Sequence, residues 1–218
     1  MFARKAKRKE VLKRYRRLRA ISTEHAHQAL KLASRKSYEK AGRRLGIVRG
    51  KKLLVFDSEQ EMQLLADLTL CMKLSGPSLI ERYRRSVHAP EGSEERTVLD
   101  AMCDWRFALL IVKHKHPVAG LVVDDLVRQE ELWLMDESME ATAKPGLALA
   151  SRLIKPAEFH TTTGAAVPMD ELLLLEVLRT LPPQLRDPAV FTARSDKFVA
   201  MVYEKAIAMG TAERIEYA

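Results

Sequence analysis

The sequence predicts an α+β fold, with helical N-terminal and C-terminal segments around a small antiparallel β meander or half-open barrel. Three observations carry this expectation. Apolar residues recur at helical spacing as far as Trp105. Short β-type runs broken by Pro117, Gly120, Pro145-Gly146 and Gly164 follow from Arg106. Helical patterning then returns after Val167. A chain of 218 residues that is 47% apolar is long enough to bury a core. Four segments follow: a basic helical arm over 1–50, a helical segment over 51–103, a small antiparallel β module over 104–167 and C-terminal helices over 168–218.

Lys9 to Ala20 contains neither Gly nor Pro, and Val11, Leu12, Tyr15 and Leu18 place a narrow apolar stripe on one helical face. Ser22 or Thr23 is the expected cap of a second helix running to about Leu45, ended by Gly46. Its stripe of Ala26, Ala29, Leu30, Ala33, Ala41 and Leu45 is mostly small, so it needs a close partner element or a second subunit. Lys52 to Phe56 reads as a short strand or extended connection. Ser58/Glu61 and Ser78/Glu81 both fit the S-x-x-E capping box, opening helices with Leu64, Leu65, Leu68, Cys71 and Met72, then Leu79, Ile80, Tyr83 and Val87 inward. Gly76-Pro77 separates them, and Ser93 opens a third.

The strand candidates are Arg106 to His114, Gly120 to Val127, Glu131 to Asp136, Gly146 to Ile154 and Glu158 to Thr162, spaced as in a curled meander. Within the fourth, Leu147, Leu149 and Leu153 face one way and Ala148, Ala150 and Arg152 the other. Leu172 to Leu175, Val177 and Leu178 read as a helix apolar on all sides and therefore buried. Pro182-Pro183 breaks it, and Ser195 is the expected cap of a last helix carrying Phe198, Val199, Val202, Tyr203 and Ile207.

Charge is distributed unevenly. Residues 1–53 hold 19 Lys and Arg against Glu10, Glu24 and Glu39, a net of +16, whereas the remainder nets −8. Two cysteines, Cys71 and Cys103, cannot supply a disulfide framework and predict a reducing, cytoplasmic setting with both thiols packed structurally. No apolar run approaches the ~20 residues that span a bilayer, and no apolar segment follows the basic N-terminus as in a secretory leader.

The basic arm is the strongest functional signal. Lys5, Arg8, Lys13, Arg14, Arg16, Arg17 and Arg19 are the expected contacts to nucleic-acid phosphates, because each neutralised phosphate releases condensed counterions. No base-reading motif accompanies them, so DNA or RNA would be gripped by its backbone without strong sequence preference. The competing reading docks the same arm on an acidic protein surface: the chain's own C-terminal portion, a partner, or Asp136 to Glu140 of a second copy in a homo-oligomer. Otherwise Asp136 to Glu140 reads as a solvated connection.

An enzyme is the third reading, and the less favoured. His25-Ala26-His27 sits on a helix, where residues two apart diverge. His114-Lys115-His116 could share a strand face and meet His160 and Asp124 or Asp125 around a metal, though strand-end histidines are ordinarily solvated. Asp124-Asp125 and Glu130-Glu131 point to opposite faces and make no dyad. Thr161-Thr162-Thr163-Gly164 lacks the phosphate-loop frame. Trp105 and Trp133 read as core. No cofactor and no metal is expected. The favoured reading is a non-enzymatic cytoplasmic binding or adaptor protein.

Overall fold

A computed structural model describes residues 2–50, 53–73, 76–181 and 196–211. Helix α1 (Phe2–Lys31) runs unbroken through the expected cap at Ser22 and Thr23. Ser22 is buried there. His25 donates Nε2–H to the Glu95 carbonyl at 3.0 Å and meets the Tyr83 hydroxyl at 3.3 Å. Tertiary packing of this stretch outweighs the local capping preference of serine and threonine. The break falls instead at Ser34, which caps α2 (Arg35–Arg44) by accepting the Ser37 N–H at 3.2 Å. Gly46, at φ +73°, follows α2 as the sequence predicts.

Strands β1 (Val48–Arg49) and β2 (Leu53–Leu54) form a short antiparallel hairpin. Lys52, where the expected run began, lies outside the described residues. Helices α3 (Glu59–Cys71), α4 (Leu79–Ser86) and α5 (Glu94–Cys103) start at Ser58, Ser78 and Ser93, each serine accepting the N–H three residues ahead. Only the Ser78 box closes both ways, Glu81 accepting the Ser78 N–H at 2.7 Å. Glu61 turns instead to the Asp57 N–H at 2.9 Å.

Five strands, β3 (Arg106–Lys115), β4 (Leu121–Asp125), β5 (Glu130–Leu134), β6 (Ala148–Ile154) and β7 (Thr161–Met169), form one antiparallel sheet in the order β5-β4-β3-β6-β7. The first three are a meander. The chain then passes through α6 (Glu137–Thr142) and crosses to the far side of β3. The expected final run, 158–162, starts later and is longer: β7 extends to Met169, so α7 (Glu171–Thr180) begins behind its cap Asp170. Helix α8 (Asp196–Ala208) follows. Pro182-Pro183 and the expected cap Ser195 lie outside the described residues.

The sheet curls without closing into a barrel. Its two sides meet at one point, where the His160 N–H donates to the Trp133 carbonyl and the Met135 N–H to the His160 carbonyl, each at 2.8 Å. Gly120, at φ +79°, lets the start of β4 lie close against the end of β5. A Cβ there would stand 2.4 Å from the Leu134 carbonyl oxygen, a contact that no side chain tolerates.

Both sheet faces are buried. Leu110, Val112, Leu121, Val123, Leu149 and Leu153 fill the concave face. Phe107, Leu109 and Ala150 face the helices, joining one core with Val11, Leu64, Leu68, Val199 and Tyr203. The alternation expected in β6 is therefore observed, with Arg152 on the helical side and fully buried.

Two expectations are corrected. Helix α7 buries only Leu173 and Val177 fully, whereas Leu172 is 70% exposed and Leu175 and Leu178 also reach solvent. A run of leucines conceals which face is inward. Asp136 to Glu140 is not a solvated connection. Asp136 caps α6 through the Met139 N–H, and Met139 and Glu140 are buried.

Candidate nucleic-acid interface

The basic arm is a structural helix as well as a charged one. Val11, Tyr15 and Leu18 are buried, as their spacing predicts, and Tyr15 meets Phe159 edge-on at 6.3 Å between ring centroids. This apolar seam fixes the rotation of α1, and the arginines beside it reach over the sheet. Arg8 donates to the Val118 carbonyl at 2.9 Å and to Glu140 at 2.7 Å. Arg16 grips Glu137 with two hydrogen bonds, at 2.8 and 2.7 Å. Arg14 pairs with Glu158 at 2.8 Å and Arg17 with Glu94. Arg19 donates to the Thr162 carbonyl, and Arg4 to the Pro117 carbonyl at 2.7 Å.

The acidic turn expected as a landing site for a second copy is thus occupied by the chain's own first helix. The Glu140 carboxyl resists the cost of its burial: Arg8 and the Gly120 N–H hold it below the usual range.

Of the seven expected contacts, Arg8, Arg14, Arg16, Arg17 and Arg19 are therefore engaged within the protein. Lys5 and Lys13 are not, and with Lys9 they recur every fourth residue along the exposed side of α1. Among the described residues none of these three ammonium groups has an acidic partner within 4.0 Å. At 1.5 Å rise per residue they stand about 6 Å apart along the axis. They line a shallow groove of about 420 Å³ with Leu12 at its floor and Arg8 and Arg16 at its side.

A neighbouring hollow of about 580 Å³ lies where α1 meets the β3–β4 turn. Arg4, Lys5, Arg8, Lys115 and His116 line it against a single acid, Glu140. His116 stacks on Trp133 at 4.1 Å and accepts the Val118 N–H at 3.3 Å through Nδ1. Burial holds its imidazole below the ordinary histidine range. In the sequence His116 stands out only as a possible metal ligand, and Lys115 only as the cation between two histidines. Their place beside α1 depends on a contact more than 100 residues long, which no local pattern announces.

The remaining candidates have structural partners. Among the described residues no group of three His, Cys, Asp or Glu could hold a metal, so His114, His116, His160 and Asp124 do not form the site considered for them. His160 accepts from Arg106 at 3.2 Å. Asp125 is buried and accepts the Val127 and Arg128 N–H groups, while Asp124 lies beside Lys113 on the other face. Glu130 pairs with Arg106 and Glu131 with Lys113. Thr161–Gly164 is strand. Cys71 is buried, its thiol pushed far up by desolvation, and Cys103 is half-buried. Trp105 is core beneath Arg152, but Trp133 is only half-buried and donates its indole N–H to the Ala119 carbonyl at 2.7 Å. No helix among the described residues is long and apolar enough to cross a membrane.

The arrangement defines an α+β protein in which a cationic helix packs on α3, α4 and α5 and is tied by its arginines to α6 and to the loops and strand ends of a curled antiparallel sheet. The chain belongs to a family of unknown function (DUF7986), whose model matches residues 9–203. No curated protein and no solved structure matches it.

Proposed function

We propose that this protein is a non-enzymatic, cytoplasmic nucleic-acid-binding adaptor that grips phosphates along the outward side of α1 and leaves the bases unread. The observation that supports the reading is the Lys5–Lys9–Lys13 ridge, unpaired among the described residues while neighbouring arginines are neutralised by the protein itself. A helix held by its own core offers these charges without further ordering, which lowers the entropy lost on binding. Lys115 extends the cationic surface around the end of the helix. Two free cysteines suit a reducing compartment.

The test is a titration of the full chain with single-stranded RNA and duplex DNA over a range of salt, repeated with the Lys5→Gln/Lys9→Gln/Lys13→Gln triple variant. The expected result is binding that falls steeply with salt, with a slope lower by about 2 to 3 in the variant. No binding by the full chain at physiological salt, or an unchanged slope in the variant, overturns the reading. In that event the ridge serves an acidic protein partner.

A further inference from the structure

A second cationic site lies away from α1's ridge, where the start of α2 faces the end of α3 and the start of α4. Helix N-termini ordinarily attract acidic side chains, yet the first turn of α2 has none. Lys36 and Lys40, one turn apart, flank a cleft of about 270 Å³, and Arg82 of α4 closes its other side. Like charges at this spacing repel each other and are destabilising in the empty site.

The nearest acids do not relieve them. Glu39 pairs with Arg35 at 3.0 Å, and Glu81 pairs with Lys73 at 3.0 Å while also holding the Ser78 N–H. Among the described residues no carboxylate lines the cleft. The hydroxyls of Ser34 and Ser37 stand 3.0 Å apart at its edge. Thr69 of α3, also in the lining, is 4% exposed, and its Oγ1 has no hydrogen-bond partner. A buried hydroxyl without a partner is costly and rare in a folded protein.

Three cations, three hydroxyls and the orphan amides of a helix N-terminus exceed what a two-oxygen carboxylate can accept, and they match the oxygens of a tetrahedral anion. From this juxtaposition we infer that the cleft formed by Lys36, Lys40, Arg82 and Thr69 binds a phosphomonoester group. Its small volume, about 270 Å³, suits a single terminal phosphate group. The site stands on other elements than the α1 ridge and does not rest on the nucleic-acid reading.

Calorimetric titration of the full chain with inorganic phosphate, at ionic strength fixed with chloride, tests the assignment. One saturable site per chain is expected, weakened about tenfold or more by Lys40→Gln, which removes a charged hydrogen bond. Thr69→Val, which deletes the hydroxyl at nearly constant shape, weakens it as well. Lys13→Gln leaves it unchanged, separating the cleft from the ridge. No saturable uptake above chloride, or equal affinity in wild type, Lys40→Gln and Thr69→Val, overturns the inference. Lys40 is exposed, so its variant folds and the comparison holds even if Thr69→Val is unstable. Phosphatidylcholine vesicles with and without phosphatidylinositol 4-phosphate distinguish the sources. Retention that requires the phosphoinositide and falls in Lys40→Gln assigns a lipid headgroup, and phosphate binding without retention assigns a soluble phosphomonoester.

Discussion

Arg152 Nε lies 2.9 and 3.1 Å from the two carboxylate oxygens of Asp67, joining β6 to α3 across 85 positions of sequence. Both side chains are excluded from water, at 0% and 4% exposure. Asp67 also accepts from Thr163 at 2.8 Å and from Tyr203 at 2.9 Å, so one carboxylate ties the sheet to α3 and α8. The guanidinium stacks over Trp105 at 3.8 Å. Burial works against its charge, but Asp67 holds its pKa above the ordinary arginine value, while burial and Asp67 together raise that of Tyr203.

Asp67→Asn is therefore expected to destabilise the protein by roughly 3–5 kcal/mol, because it strands a buried cation that already has two nitrogens, Nη1 and Nη2, without partners. Arg152→Met paired with Asp67→Leu is expected to cost much less, since it removes both charges from the interior. Urea unfolding of the three proteins checks the difference. An Asp67→Asn loss no larger than that of the double variant contradicts the account.

What could be read in the sequence follows the range of each interaction. Ser58, Ser78 and Ser93 were legible as caps because each acts on an amide three residues away. The inward stripe of α1 was legible for the same reason, as was the alternation of Leu149 and Leu153 against Ala150 and Arg152. The destinations of Arg8 and Arg16, 132 and 121 residues along, were not. Helix α6, with six residues, is too short for periodicity to reveal, and Gly164 and Pro168 disguised the length of β7. The candidate interface was accordingly half visible. Lys5 and Lys13 follow from charge density alone, whereas the inward role of the arginines and the approach of Lys115 and His116 depend on tertiary contacts.

The docking of α1 predicts unequal contributions from its two α6 partners. Glu140 has a side chain 11% exposed, and it holds Arg8 while also drawing on the Gly120 amide. Glu137 pairs with an Arg16 that is 67% exposed and water competes for both. Glu140→Ala is expected to lose about 1–3 kcal/mol of stability, with Glu137→Ala losing clearly less. Hydrogen exchange along α1 should rise in Glu140→Ala at residues 4–12 before it rises at Tyr15 and Leu18, which the apolar core holds. Equal losses from the two substitutions would show that the pairs are interchangeable surface contacts.

The seam of the sheet carries a pH dependence of its own. His160 is 9% exposed where its backbone bridges β5 to the start of β7. Its Nε2 faces Arg106 Nη2 at 3.2 Å and can accept that donor only while unprotonated. Burial, followed by the charges of Arg106 and Lys155, pushes the imidazole down to about 4 from its ordinary 6.5. The folded state therefore binds this proton more weakly than the unfolded chain does. The associated stability is complete above pH ~6.5 and is lost progressively as pH falls toward ~4, amounting to about 3 kcal/mol at 1.36 kcal/mol per unit. His160→Gln keeps a neutral polar side chain and removes the titration. Denaturant unfolding between pH 7 and pH 4 should then show a flatter profile for His160→Gln than for the wild type, with the difference confined to that interval. Parallel profiles would mean that the bridge accommodates the imidazolium, and that Arg106, already paired with Glu130 at 2.6 Å, turns away without cost.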